Sequence, residues 1–130
     1  MIICDTHVLV YDAISPEQLS SEAQEAITRA SENGELACAD ISLWEIAMLI
    51  EKGRLKVSVT ITDFLSTLST ARRLNVLPIT PSIADISVST AVPSGDPADR
   101  LIAATAIHYN VPLVTKDKRL LGLKGLNTIW

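Results

Sequence analysis

The 130-residue sequence predicts an α/β protein, a three-layer α/β/α sandwich around a central, mostly parallel sheet. Two observations lead there. Short apolar runs at residues 1–4, 36–39, 76–79 and 113–115 alternate with longer segments of helical periodicity. Alternation of that kind builds parallel strands joined by crossover helices, which cover both faces of the sheet. The whole chain, 1–130, reads as one domain, with no internal repeat, linker or low-complexity tract.

Taken in order, residues 1–4 form a short buried strand that ends at Asp5. Residues 7–13 read as a helical turn, broken at Ser15-Pro16. Ser20 or Ser21 starts an amphipathic helix through Ala23, Ala26, Ile27 and Ala30, and Asn33-Gly34 closes it. Residues 36–39 are the second strand. Ser42 starts an apolar helix over residues 43–50, stopped by Gly53, and residues 56–59 are a small strand or an extended loop. Residues 62–73 are amphipathic again, carrying Phe64, Leu65, Leu68 and Ala71. A strand at 76–79 is followed by a helix at 81–90 with Ile83, Ile86 and Val88, then a loop at 93–95. Residues 117–123 read as a short helix and 127–130 as a final edge strand.

Composition excludes several classes. At 48% hydrophobic and 20% charged, the chain has an ordinary globular balance, so disorder is not expected. With 4% aromatic residues, no stacking platform for single-stranded nucleic acid is indicated. Met1 leads directly into a strand, leaving no room for a signal peptide, and no apolar run reaches the ~20 residues of a membrane span. Cys4 and Cys38 sit in apolar contexts and read as small buried residues, so a cytosolic location is expected. The net charge of −4 is unevenly spread: residues 1–51 carry −9 and residues 52–130 carry +5. The basic half is suited to a polyanion even though the whole chain is acidic.

The most informative stretch runs from Asp96 to Asp117. Asp96 caps a helix, Pro97 suits its first position, and Asp99 falls three residues beyond the cap. Residues 101–107 carry no charge, so this helix is buried on most sides. Asn110 is a left-handed stop and Pro112 forbids continuation. The Leu113-Val114-Thr115 strand then runs into Lys116 and Asp117. Asp99 shares a helix face with Ile102, Ala103 and Ala106, where a carboxylate is costly unless paired. An acid in the first turn is also favoured by the helix dipole, so the position alone leaves two readings open.

Asp5 and Asp117 both follow strands, which places them where parallel sheets bind ligands, outside the carboxyl ends. Glu45 lies on an apolar face with Ile41, Met48 and Leu49, although Ser42-Leu43-Trp44-Glu45 also has the form of a capping box. Two carboxylates about 5 Å apart repel by roughly 3 kcal/mol at an effective dielectric near 20. Four converging acids therefore need a cation or several protons. An oxygen-only donor set without His or Cys suits Mg²⁺ or Mn²⁺ rather than zinc.

Asp5-Thr6 after the opening strand, Ser42-x-x-Glu45, the run from Asp96 to Ala103, and Leu113-Val114-Thr115-Lys116-Asp117 together resemble a PIN domain. The resemblance covers essentially the whole chain and is nearest to the VapC-type toxins of VapBC toxin–antitoxin modules. It implies a Mg²⁺-dependent endoribonuclease, with Mn²⁺ as a possible substitute, and a catalytic set of Asp5, Glu45, Asp99 and Asp117. Asp5 and Asp99 would hold the metal, with Glu45 and Asp117 completing the shell or orienting water. Asp96 is read as a cap. Thr6 and Thr115 match small hydroxyl positions lining the site. Arg100 and Lys116 are candidate substrate contacts, with Lys52, Arg54, Lys56, Lys118 and Arg119 along an RNA backbone. His7 and His108 carry no specific role. Ser94 departs from the family, which often has His there. The resemblance further implies an RNA substrate, a VapB-type antitoxin partner and a homodimer, with no membrane association.

A non-catalytic, antitoxin-binding PIN scaffold is the alternative, although retention of all four acids argues against it. A receiver-like domain would need an acceptor Asp ending the middle strand, where Val76-Leu77-Pro78-Ile79-Thr80 has none. A metal-dependent phosphatase of the Asp-x-Asp kind would need an acid where His7 stands.

Overall fold

Residue alternation within three short strands sets the architecture. In β1 (Ile2–Cys4), Ile3 faces one core and Cys4 the other. Ala37 and Cys38 in β2 (Leu36–Ala39), and Leu113 and Val114 in β4 (Leu113–Val114), divide in the same way. A strand whose successive side chains are all apolar must be covered on both faces. The computed structural model, which describes residues 1–93 and 95–130, shows that covering. On one face lie α5 (Pro81–Val88) and α6 (Pro97–Tyr109), contributing Ile83, Ile102, Ala103 and Ala106. The opposite core takes Val8 and Leu9 from α1 (Thr6–Ile14) and Ala23 and Ile27 from α2 (Ser21–Glu32). It also takes Ile46 from α3 (Ile41–Glu51) and Leu68 from α4 (Ile61–Ala71).

With β3 (Asn75–Leu77) and β5 (Thr128–Ile129), the strands run in the order β3-β2-β1-β4-β5, and every pairing is parallel. The chain winds outward from β1 through β2 to β3, then returns to the other side of β1 as β4. The order therefore reverses between β1 and β4, which opens a crevice at their carboxyl ends. The register Ile3↔Leu113 and Cys4↔Val114 makes Asp5 and Thr115 neighbours across that crevice.

The expected three-layer α/β/α sandwich is observed, with a sheet parallel throughout. Several boundaries differ. The expected turn at residues 7–13 is a full helix from Thr6, because the Asp5 carboxylate caps it by accepting from the His7 backbone N–H at 3.3 Å. Residues 56–59 are the extended loop and not a strand. The helix expected at 117–123 is absent and successive turns take its place, Leu120 N donating to Asp117 O at 3.1 Å and Leu121 N to Lys118 O at 3.3 Å. There the Asp117 carboxylate captures the Arg119 backbone N–H at 2.9 Å, a local bond that competes with helix formation. Gly122, at φ 83°, then turns the chain away.

The capping box expected from Ser42 and Glu45 does not form. The helix begins two residues earlier, after Asp40, which makes no side-chain cap. Asp40 Oδ2 instead accepts from Ile79 N at 3.1 Å, joining the α3 start to the end of β3. Ser42 and Glu45 are thereby left facing α1. Both cysteines are fully buried, and burial pushes the Cys38 thiol up to about 12 and Cys4 well above its ordinary range. They are packing residues, as the sequence suggests. Among the described residues, no helix is long and apolar enough to cross a membrane.

Asn110 ends α6 in the left-handed region at φ 54°, ψ 50°. Asn110→Gly is expected to be close to neutral, whereas Asn110→Val should cost about 1–2 kcal/mol because a β-branched residue resists that conformation. Urea denaturation of the two variants checks this, and equal stabilities would refute it.

Candidate active site

Each acid reaches the crevice for a separate local reason. Asp5 is where β1 stops and α1 starts. Its Oδ2 accepts from the Thr115 hydroxyl at 2.7 Å, a bond between the ends of adjacent strands, and the residue is only 8% exposed. Thr115 Oγ1 also accepts from Asp117 N at 3.0 Å, so one buried hydroxyl positions two of the acids. Glu45 is aimed from α3 by a hydrogen bond from Thr6 Oγ1, and that oxygen lies 2.9 Å from Ser42 Oγ. Asp99 sits in the first turn of α6, where Asp96 Oδ1 accepts from its backbone N–H at 2.8 Å.

Glu45, Asp96 and Asp99 each offer an oxygen within 4.8 Å of the other two. Asp5 and Asp117 line the same open cleft, together with His7, Tyr11, Lys116, Lys118 and Arg119. Asp96 is thus both the expected cap and a member of the cluster, a second role that the sequence reading missed. Its signal was an acid three residues before another on one helix face.

The electrostatics differ from acid to acid. Burial, and then the charges of Asp96, Asp5 and Glu45, raise Asp99 to about 6. Glu45 is also raised, first by burial and then by Asp96 and Asp5, against the Thr6 hydrogen bond. Asp117 is lowered, chiefly by hydrogen bonds from Arg119. The guanidinium clasps Asp117 through Nε at 3.1 Å and Nη2 at 2.8 Å, and the same Nη2 reaches Asp99 Oδ2 at 3.1 Å. Arg119, expected as one of several backbone contacts, pairs instead with two of the acids.

Other expected contacts sort clearly. Lys116 and Lys118 line the cleft, Lys116 with its ammonium 4.7 Å from the centroid of the Tyr11 ring. Lys52 and Arg54 line a second depression that shares His7, Glu45 and Asp96 with the first. Lys56 is exposed and lines neither. Thr6 and Thr115 are 1% and 0% exposed and donate hydrogen bonds to Glu45 and Asp5. Arg100 is committed elsewhere, its Nε donating to Ser87 O at 2.9 Å and tying α6 to α5. His7 lies on the cleft wall, while His108 is at the far end of α6 against Tyr109. The Ser94 departure lies outside the described residues.

The cluster is made of carboxylates alone, with no imidazole or thiolate among the converging donors. That chemistry fits a hard divalent cation bound by oxygen. The fold and site thus define a parallel α/β domain with an acidic, cation-suited crevice at its topological switch point. Residues 2–126 match the PIN domain family model, and the chain belongs to the PIN domain family.

Ribonuclease VapC22 of Mycobacterium tuberculosis is 43% identical over 122 residues, covering 92% of this chain and 88% of that protein. Among solved structures, Rickettsia felis VapBC2 bound to a promoter DNA fragment aligns with a TM-score of 0.75 at 21% identity, covering 98% of this chain and 97% of that one. DNA-bound VapBC from Salmonella typhimurium aligns with a TM-score of 0.70 at 18% identity, covering 98% and 95%. At such identities these two establish a shared fold.

Because Asp99 is raised from 3.8 to about 6, the folded chain holds that proton more tightly than the unfolded chain. Its ionisation therefore costs stability, progressively, as pH rises through that window. Asp117 works oppositely: its stabilisation is present above its ordinary value and is lost as pH falls below it. Asp99→Asn in EDTA is thus expected to melt above wild type, by a margin that grows from about pH 4 to about pH 6 and then levels. Calorimetric melts across that range measure it; a margin independent of pH would contradict the assignment.

Proposed function

We propose that this chain is a divalent-metal-dependent endoribonuclease, the toxin of a VapBC-type module. The observation that carries the reading is the convergence of Glu45, Asp96 and Asp99 within 4.8 Å, on a cleft shared with Asp5 and Asp117. A 43% identical relative named as a ribonuclease supports it. Mg²⁺ is the proposed ion, with Mn²⁺ able to replace it, held first by Asp5 and Asp99. When bound, the ion makes water easier to deprotonate and neutralises charge developing on phosphorus. Glu45, raised by burial, takes a proton from the attacking water. Asp117 completes the shell or orients that water. Lys116 and Lys118 meet the RNA backbone on the cleft wall, and Lys52 and Arg54 extend that track.

The same reading includes a homodimer and a VapB-type antitoxin, acting in the cytosol as one domain. Apolar surface supports the assembly: Trp44 on α3 is 57% exposed, and Phe64, Leu68 and Ala71 line a groove between α1 and α4. A basic residue of the antitoxin would reach the acids.

Purified protein should cleave RNA with Mg²⁺ or Mn²⁺, and Asp99→Asn should abolish cleavage while leaving the circular dichroism spectrum unchanged. Undiminished cleavage in EDTA, or by the folded variant, would sink the assignment. Light scattering at micromolar concentration should give twice the monomer mass, and a monomer throughout would remove the dimer from it.

A further inference from the structure

We propose that Arg119 is a displaceable counter-ion of the acidic site: it holds Asp117 and Asp99 until a divalent ion enters, and is then released as a phosphate contact. This rests on the metal-dependent reading above. Its basis is the geometry of one side chain. Arg119 occupies both Asp117 oxygens, Oδ1 through Nε at 3.1 Å and Oδ2 through Nη2 at 2.8 Å, and extends Nη2 to Asp99 Oδ2 at 3.1 Å. Asp117 is therefore not free of a competing cation while that clasp holds. Nor does it belong to the group of oxygens within 4.8 Å, which comprises Glu45, Asp96 and Asp99.

The guanidinium is able to leave. Its side chain is 66% exposed and lies on the cleft wall beside Lys116 and Lys118. Exposed ion pairs are individually weak, and a dication offers the same two carboxylates twice the charge at shorter range. Once displaced, Arg119 remains at the cleft, tethered two residues from Asp117, with a planar fork suited to a phosphate. Metal loading would thus convert an internal ion pair into a substrate contact, and bare carboxylates would not face an RNA phosphate without a cation between them.

The test uses Mn²⁺ as the probe, with free ion counted by electron paramagnetic resonance. Arg119→Ala should bind Mn²⁺ about three- to tenfold more tightly than wild type, because a competing cation is gone. Arg119→Lys, which keeps the charge but cannot clasp both oxygens, should fall between them. In wild type, the Arg119 Nε–H resonance should shift on saturation with Mg²⁺. Affinity for a mixed-sequence 2′-O-methyl oligoribonucleotide should be similar for wild type and Arg119→Ala in EDTA, but several-fold weaker for the variant in Mg²⁺. Equal or weaker Mn²⁺ binding by Arg119→Ala, or an unmoved Nε–H signal at saturation, would overturn the displacement. An oligonucleotide affinity ratio unaffected by Mg²⁺ would overturn the phosphate role. Absence of Mn²⁺ binding in all three proteins at millimolar ion would overturn the metal reading, and this inference with it.

Discussion

Like charges held at one edge of a sheet are the constraint to which the rest of this structure responds. Three carboxylate oxygens lie within 4.8 Å of one another, with Asp5 and Asp117 on the same cleft. Each pair near 5 Å apart repels by roughly 3 kcal/mol at an effective dielectric near 20, a large fraction of the net stability of a small domain. The fold offsets this from three directions. Asp5, Asp96 and Asp99 stand at helix N-termini, where the dipole and free N–H groups favour negative charge. Buried hydroxyls of Thr6 and Thr115 donate to Glu45 and Asp5. Arg119 supplies a full positive charge. Dipole placement is worth about 0.3–1 kcal/mol per acid and a hydrogen bond to a charged group about 1.5–3, so the compensation is substantial. It is also incomplete, since Asp99 remains at about 6.

The topology makes such a convergence inexpensive to hold. Asp5 and Thr115 meet because β1 and β4 are paired in register, and backbone bonds such as Asp5 N to Val114 O at 3.0 Å fix their separation. Carboxylates placed by strand ends and helix starts lose little further freedom on binding an ion, which is the advantage of building a site on rigid elements. Away from the site, the Asp12–Arg72 pair joins α1 to the end of α4 through two parallel bonds of 2.7 and 2.8 Å.

Most of the fold was legible because its signals are local and agree with one another. Asp96, Pro97, Asn110 and Pro112 delimit α6 in the sequence, and each has that role in the structure. The sequence put Asp5 and Asp117 at one sheet edge, but joining Glu45 and Asp99 to them leaned on the resemblance, because strand order decides which loops meet and one sequence does not state the order. Where local reasoning failed, a tertiary partner had outcompeted a local one. Ser42-x-x-Glu45 satisfies the pattern of a capping box, but Thr6 on another helix takes both side chains. Residues 117–123 have enough helical periodicity to suggest a helix, yet the Asp117 carboxylate binds the Arg119 N–H and leaves a series of turns. The burial of Thr6 and Thr115 was not legible, because a motif gives position but not burial.

Asp117 and Asp99 share one guanidinium and still end at opposite extremes, and the reason lies in their surroundings. Asp117 accepts from the Arg119 backbone and side chain together, which outweighs its desolvation. Asp99 receives a single Arg119 contact and faces the charges of Asp96, Asp5 and Glu45. Burial and three anions outweigh one hydrogen bond from a mostly exposed cation. The site is therefore graded, from a settled carboxylate at Asp117 to an unsettled one at Asp99. A dication entering the cleft gains most at Asp99, where uncompensated charge is greatest, and least at Asp117, which already has a partner. That gradient follows from desolvation, from three neighbouring anions and from the reach of one arginine.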